Sequence, residues 1–422
     1  MTRQRPPSLL LSSVRLERFK AAFEPSEIAL HPFTVLTGRN GSGKSTLLEA
    51  LQWIDTSVRY DARRACERYY GIRDLLNLRS RVIPPFFQLT VTWKYAETLT
   101  DAAEHAMKIE YRVKVEQDRD GRTPVVAGES LKSLNSDKVE WISTKNQPRP
   151  KKGERGKRRK AAIRSPRILF PGTRYQIPFG EPDRLALARG LGLGRISRRD
   201  PFPEISDFWE RAVFLRLSPN RLVQGSPAKR KSFDPLLDEE GQTLPALLRE
   251  LRKDQMADLI ERIRTILPDI RGIHLERPTA GLDATVSYSL VERMPYVGRA
   301  GRSTFKVPAW MLSEGTRRIT AILALLAREP APSLLCIEEI ENGLDPWTTL
   351  RILEELQSAS DHGVQVVVSS HSPWLLDHVP IQNVLLVSRV EGETVYEQFE
   401  HSPRAQQFKG AIPAGTRYVQ GD

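Results

Sequence analysis

Apolar residues recur along this chain with two periods, and the alternation between them predicts its elements. Near the N-terminus, residues 14–22, 27–30 and 33–36 read as short strands punctuated by Pro25 and Pro32; Leu47, Leu51, Ile54 and Val58 then recur at helical spacing. Alternation at 87–93 and 108–115 predicts half-buried antiparallel strands, continued at 138–142. Residues 168–240 are rich in Pro and Gly and carry no clear period apart from a strand at 212–217. Over 244–267, Leu244, Leu248, Leu251, Leu259, Ile263 and Ile266 mark one amphipathic helix, with Pro245 near its start and Pro268 ending it. Strands at 272–276 and 284–290 follow. The last quarter opens on a helix with the apolar face Ile319, Ile322, Leu323 and Leu326, ending near Arg328 and Pro330. A strand at 333–337, a turn at 342–346, a helix over 347–358 and a strand at 364–370 come next, and buried strands alternating with helices predict a parallel sheet.

At 422 residues the chain exceeds one ordinary core, so two or three lobes are expected, and 40% hydrophobic with 27% charged residues is the composition of a soluble globular protein. The longest apolar run near a helix, Ala321 to Ala327, is too short to span a bilayer, and the stretch Leu9 to Leu11 falls short of a secretory leader. Two cysteines, Cys66 and Cys336, do not amount to a disulfide framework, so a reducing, cytoplasmic location without membrane partners is expected. The net charge of +12 is uneven: residues 149–167 hold ten Lys and Arg against Glu154 alone, so +9 resides there. That segment has no apolar period and no interleaved aromatics. It reads either as a solvated insertion or as a sequence-independent contact to the phosphate backbone of nucleic acid. The expected division is 1–145 (phosphate loop and a β-layer), 146–167 (basic loop), 168–300 (a partly helical lobe) and 301–422 (the alternating strands and helices).

The chemistry concentrates at four places. Gly38, Arg39, Asn40, Gly41, Ser42, Gly43, Lys44 and Ser45 fit G-x-x-x-x-G-K-[ST] between a predicted strand and a predicted helix. Backbone N–H groups converging at a helix N-terminus suit phosphate oxygens, and the glycines allow close approach. Lys44 would reach β- and γ-phosphates and the Ser45 hydroxyl would ligate Mg²⁺, with Thr46 beside them. The alternative, a glycine-rich turn with an incidental lysine, does not explain the strand and helix on either side. The turn Leu312-Ser313-Glu314-Gly315-Thr316 opens a second helix and a second place for an anion. The strand at 333–337 ends in Glu338 and Glu339; one carboxylate can hold Mg²⁺ while its neighbour polarises a water, although capping the strand or pairing with arginines would also account for them. His371 follows the strand at 364–370, where a parallel sheet presents ligand-binding residues.

In this order the pieces resemble the ABC-type ATPase head shared by SMC proteins, RecF and the OLD-like and related predicted AAA-family ATPases. Walker A spans 38–45, the signature 312–316, Walker B 334–339, a D-loop Gly343-Leu344-Asp345-Pro346, and a switch histidine stands in Ser370-His371-Ser372-Pro373. Signature Ser313 and Glu339 lie 26 positions apart (339 − 313), room for one helix and one strand. The resemblance covers residues 12–58 and 240–395, and 14–20 resemble the family's first strand. It implies an α/β fold: a P-loop NTPase ABC-type head with a mixed or parallel sheet flanked by helices, an antiparallel β-layer in the N-terminal lobe and a partly helical inserted lobe.

The resemblance further implies ATP and Mg²⁺ as ligands and two copies packed head to tail around ATP. Walker A of one copy and Ser313, Glu314 and Gly315 of the other would line each nucleotide. Glu338 would serve the metal, Glu339 would be the general base, His371 would sense the γ-phosphate and Asp345 would link the two sites. Glu338 replaces the usual Asp, Glu314 stands where transporters have glycine, and Ile340 replaces a proline many relatives carry. The Q-loop has no clear place, with Gln88 its one candidate. No long heptad stretch is present, and the 51 residues after His371 (422 − 371) are expected to be too few for a TOPRIM nuclease, so an effector would be a separate protein. The leading expectation is an ATPase whose nucleotide-gated homodimer or larger homo-oligomer controls such a partner, including a nuclease, in DNA-associated defence or repair. A nucleotide-sensing scaffold with little turnover and a transporter subunit are the alternatives.

Overall fold

The three N-terminal strands are present as β1 (Leu9–Glu17), β2 (Ser26–Ala29) and β3 (Phe33–Thr37) in a computed structural model of the chain. It describes residues 9–79, 82–95, 107–118, 121–134, 140–143, 167–169, 176–178, 183–192, 201–227, 230–231, 233–276, 285–294, 303–403 and 413–420. The first strand runs earlier than 14–22 because the backbone turns left-handed at Arg18 (φ 58°) and Lys20 (φ 48°), which ends the extended run. Helices α1 (Lys44–Arg59) and α2 (Ala62–Glu67) follow, then β4 (Phe86–Tyr95), β5 (Lys108–Gln117), β6 (Pro124–Ser133) and β7 (Glu140–Ser143). A short pair, β8 (Arg167–Leu169) with β9 (Gln176–Pro178), and helices α3 (Ala186–Leu191) and α4 (Phe202–Glu210) complete the first half. The basic segment over 149–166 lies outside the described residues.

The chain forms two units that interleave in sequence: Met1–Leu30, Asn40–Asp207 and Ser388–Tyr396 in one; His31–Arg39, Phe208–Val387 and Glu397–Asp422 in the other. The first is built on a sheet of order β2-β1-β4-β5-β6-β7 whose pairings are all antiparallel. Period-two alternation puts Phe87, Leu89, Val91 and Trp93 of β4 beside Val115, Val113, Tyr111 and Ile109 of β5, all fully buried, while Lys108, Glu110, Arg112 and Lys114 take the other face. Trp53 of α1 packs edge-on to Phe87 (5.2 Å between ring centroids), as Phe19 does (5.2 Å), so helix and sheet share one aromatic core. The indole Nε1 of Trp53 donates to Cys66 Sγ, tying α1 to α2; Cys66 and Cys336 are both buried free thiols.

One buried acid in this unit predicts a pH dependence. Glu129 of β6 accepts from Tyr111 Oη (2.8 Å) and from the amides of Ala186 (2.6 Å) and Leu187 (2.7 Å). Burial pushes its carboxyl up to about 7, against the lowering by those donors. The folded value lies above the unfolded one, so the native chain holds a proton the unfolded chain releases. The stability this group lends is therefore full at low pH and is lost as pH rises from about 4.5 to about 7, by up to roughly 3 kcal/mol. Glu129→Gln should remove that slope: the melting temperature of the variant, measured against that of the unchanged chain, should rise on going from acid to neutral pH. A constant difference would contradict it.

In the second unit come β10 (Ala212–Leu215), β11 (Ser226–Pro227), α5 (Leu244–Glu250), α6 (Lys253–Ile266), β12 (Ile270–Leu275), β13 (Thr285–Val286), β14 (Tyr288–Arg293) and β15 (Thr304–Pro308). Then follow α7 (Glu314–Leu326), β16 (Leu334–Ile337), α8 (Pro346–Asp361), β17 (Gln365–Ser370), α9 (Pro373–Leu376), β18 (Val384–Val390), β19 (Glu393–Gln398) and α10 (Ala414–Gln420), of which residues 388–396, in β18, β19 and their turn, belong to the first unit. The helix read over 244–267 is two helices. Leu251 is extended (ψ 133°), and Arg252 restarts the helix with its amide donating to Gln255 Oε1 at 3.0 Å. The apolar positions kept phase across the break, which is why their spacing concealed it. A three-stranded antiparallel sheet, β12-β14-β15, contains the strands expected at 272–276 and 284–290.

The main sheet has the order β10-β16-β17-β3-β18-β19, with β10, β16, β17, β3 and β18 paired parallel. Its strands β16, β17 and β3 are buried at every position, as parallel strands covered on both faces must be. Inserting β3 between β17 and β18 draws residues near 35 into a sheet otherwise made of the C-terminal half, which is why the two units interleave. No helix among the described residues is long and apolar enough to cross a membrane.

Candidate functional site

Because β16, β17 and β3 are parallel neighbours, their C-terminal ends lie on one edge of the sheet. The residues that leave that edge are Glu338 and Glu339 from β16, His371 from β17, and Gly38 with Arg39 from β3. The phosphate loop then runs from Asn40 to the first turn of α1, which begins at Lys44. Gly43 is its N-cap, with φ 111° and no capping side chain, and Gly41 has φ 73°. A Cβ on Gly43 would stand 2.7 Å from Thr394 Cγ2 and Oγ1, so glycine is required there by backbone and by space. Lys44 and Thr46 are buried, Ser45 is exposed, and the hydroxyl of Ser42 is buried without a hydrogen-bond partner. The loop's carbonyls are satisfied: Gly41 O accepts from Arg389 Nη2 (2.5 Å), Ser42 O from Thr394 Oγ1 (2.9 Å), and Gly43 O from Tyr396 Oη (2.9 Å) and the Thr46 amide (3.0 Å).

At the strand ends, the Glu338 amide donates to Leu215 O (2.9 Å), continuing the β10 pairing, and its carboxylate lies 3.3 Å from Arg216 Nε. Glu339 takes a left-handed backbone (φ 48°), a conformation uncommon for a side-chain-bearing residue and often met at functional sites. Its amide donates to Ser369 Oγ (3.0 Å). Its carboxylate accepts from Asn342 Nδ2 on one oxygen and lies 3.6 Å from His371 Nε2 on the other. The His371 amide donates to Glu341 Oε1 (2.6 Å), and Glu341 Oε2 is buried without a partner. Both sides of this carboxylate turn are therefore tied to the end of β17.

Ser313 caps α7, its Oγ accepting from the Thr316 amide (3.1 Å). Arg317 and Arg318, one turn into the same helix, reach back: Arg317 Nη1 donates to Leu312 O (2.8 Å), and Arg318 pairs with Glu314 (3.2 Å) while its Nη2 donates to Leu217 O (2.8 Å). Gly315 lies so close to Gly343 that a Cβ on it would sit 2.7 Å from Gly343 O, and one on Gly343 would meet the Glu314 carboxylate at 2.7 Å. The serine turn and the Gly343-Leu344-Asp345 loop thus form one packed feature. Asp345 caps α8, accepting from the Thr348 amide (3.0 Å) and hydroxyl (2.6 Å), which hold its carboxyl below the usual range. Gln88 stands within β4, its amide donating to Glu17 (3.0 Å).

Sequence reasoning missed Glu341, Asn342, Ser369, Arg317, Arg318 and the trio Arg389, Thr394 and Tyr396. The first two were signalled only by polarity beside the paired acids; the trio sits in an ordinary strand pair and carried no signal. Among the described residues no cluster of three or more His, Cys, Asp or Glu could hold a metal. Magnesium in nucleotide sites needs no such cage, since it keeps waters and binds one or two protein oxygens beside phosphates, and the hydroxyl of Ser45 and the carboxylate of Glu338 are each oxygen donors of the kind it takes.

A mixed α/β fold with a phosphate loop after one parallel strand and paired acids after another defines a P-loop NTPase head of the ABC type. The chain belongs to the family described as "AAA domain, putative AbiEii toxin, Type IV TA system", which matches residues 33–377. Its fold is that of SMC head domains. One such structure, an SMC head bound to the C-terminal winged-helix domain of ScpA, aligns with TM-score 0.54 and 13% identity over 92% of this chain and 98% of that one. Another, an SMC head with an extended coiled coil bound to the C-terminal domain of ScpA from Pyrococcus furiosus, aligns with TM-score 0.52 and 12% identity over 94% and 99%. No curated protein sequence matches the chain.

Proposed function

We propose that the chain is an ATP-hydrolysing head that closes as a homodimer, or a larger homo-oligomer, around ATP and thereby controls a separate effector protein. The observation that carries this reading is the arrangement of the loop after β3, the acids after β16 and the histidine after β17 on successive parallel strands, with the serine turn packed against the Asp345 loop. The amides of the phosphate loop, Gly38 to Ser45, would bind the phosphates; Lys44 would neutralise β- and γ-oxygens, with Thr46 beside it. Mg²⁺, held by Ser45 and Glu338, would neutralise charge developing on the transferred phosphoryl group. Glu339 would take the proton of the attacking water, and His371, 3.6 Å from it, would report the γ-phosphate to that carboxylate. Ser313, Glu314 and Gly315 would meet the nucleotide of the second copy, and Asp345, in the loop packed against that serine turn, would link the two sites. The family's description as a putative toxin of a toxin–antitoxin system supports a chain that works with a partner in bacterial defence; a cytoplasmic location belongs to the same proposal.

Steady-state phosphate release tests this directly. Turnover above background that requires Mg²⁺ is expected; background release with intact ATP binding would favour the sensing scaffold instead. The basic segment 149–167 gives a further proposal, contact with the DNA backbone. Deleting 149–164 removes nine basic groups and one acid, and should weaken binding to duplex DNA and flatten its salt dependence, since each released phosphate counterion contributes roughly one unit of slope. An unchanged slope would remove the idea.

A further inference from the structure

We propose that the hairpin of β18 and β19, which follows every motif of the nucleotide site in sequence, is part of that site. Arg389, Thr394 and Tyr396 are positioning residues that aim the amides of Ser42, Gly43 and Lys44 at a bound polyphosphate. The inference rests on the nucleotide reading above and assigns to it residues that no motif contains.

In a trans peptide the C=O and the following N–H lie in one plane and point in opposite directions. Fixing the carbonyls of Gly41, Ser42 and Gly43 therefore fixes the N–H groups of Ser42, Gly43 and Lys44. The hairpin does this for three consecutive peptides: Arg389 Nη2 to Gly41 O (2.5 Å), Thr394 Oγ1 to Ser42 O (2.9 Å) and Tyr396 Oη to Gly43 O (2.9 Å). All three carbonyls point at the hairpin, so all three amides point away from it. A loop containing three glycines would otherwise lose much conformational freedom on binding an anion. A clamp on its outer side removes part of that cost before the anion arrives, as pre-organisation does in general.

The hairpin is held firmly enough for this. Its turn, Glu391-Gly392, has both φ positive (49° and 90°), the form that matches strand twist in two-residue hairpins. Glu393 Oε2 accepts from the Phe23 amide (3.0 Å), and Gly392 O accepts from Arg79 Nη1 (3.4 Å). Thr394 is buried, and its side chain fills the space a Cβ on Gly43 would need, so loop and hairpin fit only with glycine at that position. Burial pushes the Tyr396 phenol up, so it stays a hydrogen-bond donor at neutral pH.

The test is calorimetric titration of the full chain with MgATP and MgADP for Thr394→Val, Tyr396→Phe, the double variant and Thr394→Ser. Both nucleotides should bind the double variant roughly tenfold or more weakly, while Thr394→Ser, which keeps the hydroxyl, stays near the unchanged chain. Melting without nucleotide should shift little, because Phe and Val preserve the packing. Should the double variant fail to fold, Tyr396→Phe alone, lacking one oxygen, should still show weaker binding. Unchanged affinity in variants of a chain that binds nucleotide would overturn the hairpin's role alone. So would equal losses in Thr394→Val and Thr394→Ser, which would mean packing and not the hydroxyl. An unchanged chain that binds neither nucleotide would overturn the nucleotide reading, and this assignment with it.

Discussion

Glu339→Gln will bind MgATP as the unchanged chain does and release phosphate at least roughly a hundredfold more slowly, the scale expected for loss of a general base. The substitution keeps the shape of the side chain. Its carbonyl oxygen can still accept from Asn342 Nδ2, and the Glu339 amide still donates to Ser369 Oγ, so the left-handed turn at φ 48° has no reason to move. What disappears is the capacity to take a proton from water. The expected signature is thus a split: affinity retained, turnover lost. Phosphate release at the original rate would reject Glu339 as the base and move attention to Glu341, whose Oε2 is buried without a partner and whose Oε1 holds the His371 amide.

Lys44→Ala should weaken nucleotide binding itself. Lys44 is the first residue of α1, its side chain lies in a buried setting, and the cap before it, Gly43, offers no side chain of its own. Charge-assisted hydrogen bonds to phosphate lose about 1.5–3 kcal/mol on truncation, so Kd should rise by roughly ten- to a hundredfold or more. Titration calorimetry measures it, with the nucleotide-free melting temperature as the control for folding. Retained affinity would mean that the loop's amides carry the binding without the lysine.

Much of this was legible in the residues because chemistry constrains them tightly. The phosphate loop needs glycines and a lysine at fixed positions, and the strands before it and before the paired acids are buried on both faces, so each reads as an unbroken apolar run. Strands β4 and β5 were legible for the opposite reason, a strict alternation with one polar face. Three things were not. Strand β6 has Gly128 and a register shift opposite Lys114 and Val115, which blur its period. The break between α5 and α6 is made by Leu251 leaving the helical region without leaving the apolar phase. The hairpin's grip on the phosphate loop spans about 350 positions of sequence and uses common residue types, so local pattern held no trace of it.

The central claim is that the nucleotide joins two copies of this chain. Light scattering coupled to size exclusion, run on Glu339→Gln with and without MgATP, tests it most directly. The account predicts a mass near the chain's 47.9 kDa, or its resting assembly, without nucleotide and at least twice that mass with it, reversed by adding Ser313→Arg at the turn proposed to meet the second copy. A mass that ignores saturating MgATP would contradict it.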